Sequence, residues 1–148
     1  MMRFTLAVLA YLVPTFALGF VWHLVLFESY YARLEIYRHD VIIPFGFVSM
    51  LVQAILFAWV YERLFARRAA SAVSRGVAFA AFGALLSWSF TTLAVAAKNV
   101  MTSVSDYVLI ETAFTLTQWV IVGAVIVVLT AWLDRRVDAA QQPPLLQA

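Results

Sequence analysis

The stretch from Phe4 to Phe27, FTLAVLAYLVPTFALGFVWHLVLF, carries no formal charge and decides the fold class of this chain. A helix needs about 20 mostly apolar residues to cross the hydrocarbon core of a bilayer. The apolar run of a secretory signal peptide is shorter, about 7–15 residues, so Arg3 and the small residues around Gly19 do not indicate cleavage. The stretch predicts a retained membrane-spanning helix.

Three further apolar stretches of similar length follow the first. We predict four spans, at about 4–27, 42–61, 77–97 and 108–133. The chain is 65% hydrophobic and 12% charged, an excess of apolar residues that 148 residues cannot bury in a core of their own. We therefore expect an all-α, polytopic membrane protein: one four-transmembrane-helix bundle over 1–138 and a disordered tail over 139–148.

Lysine and arginine are distributed unequally between the two sides of the predicted bundle. Positive residues are enriched in cytoplasmic loops, which predicts that both termini and the tail are cytoplasmic, in a bacterial inner (plasma) membrane. The predicted inner side holds Arg3, Arg63, Arg67, Arg68, Arg75, Arg135 and Arg136, and the predicted outer side holds Arg33, Arg38 and Lys98.

The first predicted outer loop, ESYYARLEIYRHD over 28–40, is rich in aromatic and charged residues. Its three tyrosines and Leu34 share one face at helical spacing, which predicts a short interfacial helix on the membrane surface. A tyrosine-anchored loop is the alternative, because tyrosine also settles at the headgroup boundary without helical structure. The residues expected at the interface are Tyr30, Tyr31, Tyr37, Arg33 and Arg38.

Polar side chains recur every three or four residues along each predicted span, so each span has one polar face. Polar groups in hydrocarbon turn toward neighbouring helices and hydrogen-bond there. We expect these faces to converge in two layers, with amides and hydroxyls at mid-membrane and ionisable groups nearer the outer boundary. The candidate site residues are His23, Lys98, Glu111, Gln53, Gln118, Ser87, Thr91 and Thr15.

The outer layer allows two interpretations. Glu111 lies about one turn inside the fourth predicted span, where an unpaired carboxylate is costly. Lys98 and His23 are the partners predicted at that depth. The layer is either a structural ion pair that closes the bundle or a proton- or cation-linked site. A separate face of small residues, Gly76, Ala80 and Ala84, is suited to packing against a neighbouring helix or a second copy of the chain.

Metal, cofactor and nucleic-acid binding have little support. His23 and His39 are the only histidines, and without HxxxH or HExxH spacing they are weak ligand candidates, so we expect no metal. The chain has no cysteine, which removes disulfides and thiolate ligands. No phosphate-binding glycine motif is present, and we expect no cofactor. The predicted inner arginines favour contact with lipid, and we expect no nucleic-acid partner.

The run from Gly19 to Phe65 resembles small bacterial integral-membrane proteins of unknown function. These share a Gly-x-x-Trp first helix, an aromatic outer loop and a second helix rich in small residues. Gly19 and Trp22 carry the first feature here. The resemblance covers about a third of the chain and implies a bacterial inner-membrane bundle, without an activity or a site. Small multidrug transporters have similar size, but they carry a glutamate in the first helix, which this chain lacks.

The sequence favours a non-enzymatic role, as a bundle that packs into a homo-oligomer or serves as an accessory subunit of a larger membrane complex. Two alternatives use the layer of His23, Lys98 and Glu111: a transporter or channel for a small solute or ion, and an enzyme acting on lipid or quinone. A transporter predicts a water-filled cavity reaching Gln53 and Gln118. A packing subunit predicts a closed interior, and an enzyme predicts a lipid-sized side opening near Glu111.

Overall fold

A computed structural model describes residues 2–38 and 40–141 of the chain. Every regular element in these ranges is helical, which confirms the all-α class. The helices are α1 (Met2–Val21), α2 (Glu28–Leu34), α3 (Ile43–Val60), α4 (Ala72–Ser87), α5 (Ala94–Ala96) and α6 (Val104–Gln141).

Wide π-helical turns lengthen three of the helices. The turn Trp22–Leu26 follows α1, Tyr61–Phe65 follows α3, and Trp88–Leu93 joins α4 to α5. With these turns included, four helices are long and apolar enough to cross a membrane. They are Met2–Leu26, Ile43–Phe65, Ala72–Ala96 and Val104–Val137, one for each predicted span.

The third and fourth long helices begin four or five residues earlier than the hydropathy predicts, because hydroxyl side chains cap them. The hydroxyl of Ser71 accepts a hydrogen bond from the backbone N–H of Ser74 at 3.2 Å, so α4 starts at Ala72 rather than near 77. Ser103 Oγ accepts from the backbone N–H of Asp106 at 3.3 Å, so α6 starts at Val104 rather than near 108.

The last helix also ends later than predicted. It continues through Gln141, so residues 139–141 of the predicted tail are helical. Residues 142–148 lie outside the described residues.

The long helices pack around an aromatic core. Trp119 of α6 is 1% exposed, and its ring lies 4.9 Å from that of Phe57 and 5.6 Å from that of Phe79, between ring centroids. α4 lies close to α6 because glycine leaves room for larger neighbours: a Cβ at Gly83 would be 2.0 Å from the Trp119 ring, and one at Gly76 would be 2.3 Å from Val127. The Gly76 face of α4 thus packs against a neighbouring helix of the same chain.

The two ends of the bundle differ in chemistry. At one end, which we call the Arg75 end, the buried Arg75 of α4 pairs with Asp134 of α6, and Asp134 also lies 3.6 Å from Arg3. Arg75 therefore does more than contribute positive charge to a loop, because it joins two helices. The opposite end holds α2 and the turn Trp22–Leu26, and we call it the His23 end.

Candidate functional site

A buried carboxylate joins three elements at the His23 end. Glu111 of α6 is 5% exposed, and its Oε1 accepts a hydrogen bond from the Tyr31 hydroxyl of α2 at 2.7 Å. The same oxygen lies 3.2 Å from Nε2 of His23, in the π-helical turn after α1. We call His23, Tyr31 and Glu111 the Glu111 cluster. The predicted pairing of His23 with Glu111 is thus present.

The second ring nitrogen of His23 determines how many protons the pair holds. Nδ1 lies 2.9 Å from the carbonyl oxygen of Gly19, which only accepts, so Nδ1 must carry a hydrogen. A proton must then lie between Nε2 and Glu111, since otherwise two lone pairs would face each other. The pair is either an imidazolium with a carboxylate or a neutral imidazole with a carboxylic acid. Its net charge is zero in both cases, which lowers the cost of burial.

Aromatic rings surround the imidazole and keep it in place. The His23 ring centroid lies 4.4 Å from that of Phe114 and 4.8 Å from that of Tyr31. Tyr31 in turn stacks on Tyr37, with centroids 5.0 Å apart and planes 15° apart. π-Helical turns inside α-helices occur often at functional sites, and His23 lies in one.

A short helix is present in this loop as predicted, α2, and part of its tyrosine face packs on the protein. Tyr31 is 1% exposed and Leu34 is also buried, and the two belong to one buried cluster with Tyr107 of α6. Tyr30 is half-buried beneath Arg33, whose guanidinium carbon lies 5.2 Å from the ring centroid. The expectation that this face rests on the membrane surface is therefore wrong for Tyr31, because its hydroxyl finds a better acceptor in Glu111.

Two hydrogen bonds join the end of α2 to the loop that precedes α6. The backbone N–H of Thr102 donates to the carbonyl of Leu34 at 3.1 Å, and its hydroxyl donates to the carbonyl of Arg33 at 2.7 Å. Glu35 then adopts a left-handed conformation, with φ of 55°, and its N–H donates to the carbonyl of Ala32. Glycine or asparagine is usual at such a helix end, so a glutamate here is notable.

Because of Tyr31, the free energy of unfolding should fall as the pH rises in the alkaline range. Burial raises the pKa of the Tyr31 phenol above its ordinary value, and the adjacent Glu111, which accepts its hydrogen bond, raises this pKa further. Above about pH 10 the unfolded chain loses this proton while the folded chain keeps it, so the free energy of unfolding falls by about 1.4 kcal/mol per pH unit for one such group. Below that pH the group contributes no dependence.

The measurement compares the wild type with Tyr31→Phe by denaturant unfolding in detergent micelles from about pH 9 to about pH 11. We expect the variant to lose stability less steeply, while its other tyrosines act as an internal reference. Parallel pH profiles for the two proteins would show that Tyr31 ionises equally easily in the folded chain.

A second polar network lies in the middle of the bundle. Gln118 Nε2 donates to the Tyr11 hydroxyl and to Thr15 Oγ1, each at 3.3 Å, and the Tyr11 hydroxyl donates to Gln53 Oε1 at 2.9 Å. Gln53 also donates to Ser49 at 3.1 Å. Thr15, Gln53 and Gln118 thus converge as predicted. Tyr11 connects them and was not predicted, although it lies four residues before Thr15 on the same helical face.

Three predicted site residues lie apart from both networks, and they are Ser87, Thr91 and Lys98. Ser87 accepts from the indole N–H of Trp119 at 3.1 Å, and exposed Thr91 donates back to its own helix, at the carbonyl of Ser87. The π-helical turn Trp88–Leu93 breaks the 3.6-residue period, so Thr92, 0% exposed, faces inward in place of Thr91.

Lys98 does not join the Glu111 cluster. It is exposed beyond the end of α5, and among residues 2–38 and 40–141 no ion pair includes it. The pairing expected between Lys98 and Glu111 is therefore absent, and Glu111 is paired with Tyr31 and His23 instead.

The metal hypothesis has no support in the described part of the chain. No group of three His, Asp or Glu side chains there is arranged to hold a metal ion. His39, one of the two weak ligand candidates, lies outside the described residues.

Two adjoining cavities open beside the Glu111 cluster. One, which we call the polar chamber, has a volume of about 600 Å³ and is bounded by α2 and the segment after it, including Glu28, Glu35 and Arg38. The other, which we call the apolar groove, has a volume of about 230 Å³ and runs between α1 and α3. His23, Leu24, Tyr37 and Val41 line both, so the two cavities lie side by side and share one wall. Neither lining includes Gln53 or Gln118.

Comparison of this chain with protein-family models, with curated proteins and with solved structures gives no match. The resemblance to small bacterial membrane proteins stays a prediction. What the protein does is therefore inferred from its own contacts.

Proposed function

We propose that this protein spans a bacterial inner membrane as a four-helix bundle that is closed in its middle and acts by binding and packing rather than by transport. The observation that carries the proposal is the filled middle layer. Gln118 and Thr15 are buried and hydrogen-bonded to each other, and Gln118 is bonded to Tyr11 as well. Satisfied polar groups of this kind connect helices in membranes.

The packing around this layer supports a closed bundle. Ala54 of α3 and Val122 of α6 are fully buried, and Trp119 occupies the space beside Gly83. The two cavities at the His23 end do not include the middle-layer glutamines in their linings. A solute would need these side chains to separate before it could pass.

The membrane placement rests on length, hydropathy and charge. Each of the four long helices has the length and apolar character of a membrane span. The excess of arginine near the Arg75 end supports a topology with both termini in the cytoplasm and the His23 end facing outward. Within such a membrane we propose a role as an accessory subunit or a homo-oligomer, which matches the exposed apolar side chains on the long helices.

The test of a closed bundle is a flux measurement in liposomes. We expect proteoliposomes loaded with a pH-sensitive or cation-sensitive dye to respond to an imposed gradient no faster than protein-free liposomes, with a pore-forming peptide as the positive control. Flux that rises with protein content and is lost in Glu111→Gln would contradict the proposal and favour a transporter.

A second candidate function has one observation in its favour. The apolar groove lies between α1 and α3 and is lined by His23, the partner of Glu111. A side opening near Glu111 is the feature expected of a protein that handles lipid or quinone within the bilayer.

A further inference from the structure

The polar chamber and the apolar groove together fit a molecule with two unlike parts. The chamber volume lies within the range of about 300–1,000 Å³ that is typical of small-molecule sites. Phe16, Phe20, Phe47 and Met50 line the groove, which offers almost no polar group apart from His23 and Tyr37. A ligand that fills both cavities therefore has a charged or polar head and a hydrocarbon chain.

The charged side chains of the polar chamber determine which kind of headgroup it can bind. Glu28 and Glu35 contribute two carboxylates, and Arg38 contributes one guanidinium. The pair of His23 and Glu111 at the inner edge has no net charge, because the two side chains share one proton. The chamber is thus net negative but has one positive position, which complements a head with an ammonium group and a phosphate.

The aromatic wall of the chamber agrees with an ammonium group. Tyr31 and Tyr37 both line the chamber and stack on each other. Aromatic faces attract ammonium groups, and carboxylates accept their hydrogen bonds. An anionic head would meet two carboxylates, and a quinone head has no cation to pair with them.

We propose that the His23 end binds one phospholipid with a primary ammonium in its headgroup. The ammonium lies with Glu28 and Glu35, the phosphate lies with Arg38, and one acyl chain lies in the groove between α1 and α3. This inference rests on the proposed placement in a membrane, but it does not need the bundle to be closed to solutes.

The left-handed backbone at Glu35 agrees with this role. A residue with a side chain is strained at a φ of 55°, and glycine is not. Strained residues persist where the surrounding structure holds them and are common at ligand sites. The carboxylate that this backbone places at the chamber is the proposed reason for glutamate at this position.

The experiment measures lipid retained by the purified protein. The full chain is reconstituted in nanodiscs with equal amounts of phosphatidylethanolamine and phosphatidylglycerol, transferred to a mild detergent, and analysed by native mass spectrometry. We expect about one phosphatidylethanolamine per chain. We expect about tenfold weaker retention in Glu35→Gly, because it loses a charge-assisted hydrogen bond while the backbone strain is relieved.

Two further variants separate binding from folding. Gly46 lines the groove, and a Cβ there would meet no atom within 4 Å, so Gly46→Leu fills the groove without a clash at Cβ. It should abolish retention. The double variant Glu28→Lys/Glu35→Lys should invert the preference toward phosphatidylglycerol. The matched controls are Asp106→Asn, which removes an exposed carboxylate at the same end, and Val48→Leu on the exposed face of α3.

Equal retention of the two lipids by the wild type, or unchanged retention in Gly46→Leu, would overturn the lipid site. Loss of retention in the two control variants would overturn it as well, since it would show that any change in surface charge or bulk has the same effect. A chain that stays folded and monomeric in buffer without detergent would instead overturn the membrane placement.

Discussion

Replacing Gly83 with alanine is expected to lower the free energy of unfolding by about 3 kcal/mol, the upper end of the usual range for an overfilled core. A Cβ at this position would lie 2.0 Å from the Trp119 ring, well inside any tolerated contact. Contacts with Tyr11, Phe57 and Phe79 hold the ring in this position. Either the indole leaves its rotamer or α4 moves away from α6.

Gly46→Ala is the matched control for this prediction. It is the same substitution in a neighbouring helix, but a Cβ there meets no atom within 4 Å. Because glycine destabilises a helix interior, this variant should gain about 0.5–1 kcal/mol. Unfolding in mixed micelles, followed by circular dichroism, measures both changes.

A second variant identifies the ring as the cause. Trp119→Phe removes the benzo part of the indole that a Cβ at Gly83 would strike, so it should reduce the cost of Gly83→Ala when the two are combined. Equal effects of the two glycine substitutions would contradict the close approach of α4 and α6.

Replacing Glu111 with alanine is expected to cost about 3 kcal/mol of unfolding free energy, which is typical when one partner of a buried pair is removed. The Tyr31 hydroxyl would lose its acceptor, and His23 would lose the group that shares its proton. One oxygen atom would no longer join three elements, which are α2, α6 and the turn that follows α1.

Glu111→Gln separates the charge from the hydrogen bonds. Its carbonyl oxygen still accepts from Tyr31, but the interaction with His23 at that same oxygen is lost, so we expect a smaller loss of about 1 kcal/mol than for alanine. Asp106→Asn, an exposed change on the same helix, should alter stability by less than about 0.5 kcal/mol. Thermal unfolding in one detergent compares the three variants. A loss for Glu111→Ala no larger than that of Asp106→Asn would exclude a structural role for the cluster.

Hydropathy and helical spacing together predict the pairing of His23 with Glu111, because both are polar residues at similar depth in apolar helices. The same reasoning fails at Thr91, where the π-helical turn Trp88–Leu93 shifts the helical face by one residue and buries Thr92. A hydropathy pattern carries no signal for such a turn. Lys98 fails for a related reason, since the helix ends before the side chain can reach the bundle.

The sequence alone does not distinguish a tyrosine at the membrane surface from a tyrosine buried in the protein. A phenol beside a membrane is suited both to a headgroup boundary and to a buried acceptor, and Tyr31 takes the second role because Glu111 is within 2.7 Å. The polar chamber was also beyond prediction from sequence. It depends on the direction in which the chain leaves α2, which the left-handed backbone of Glu35 sets.

The length of α6 has a mechanical consequence. Its 38 residues extend about 57 Å at about 1.5 Å per residue. Even at a tilt of about 40°, only about 40 Å of helix fits within a hydrocarbon core of about 30 Å. In the proposed membrane placement, the surplus would be the C-terminal part of α6, near Asp134, Arg135 and Arg136, and it would extend into water as a rigid helix. Because the helix is rigid, a change in its tilt near Glu111 would move its C-terminal end near Gln141. A spectroscopic probe attached after that end would therefore report tilting of the bundle.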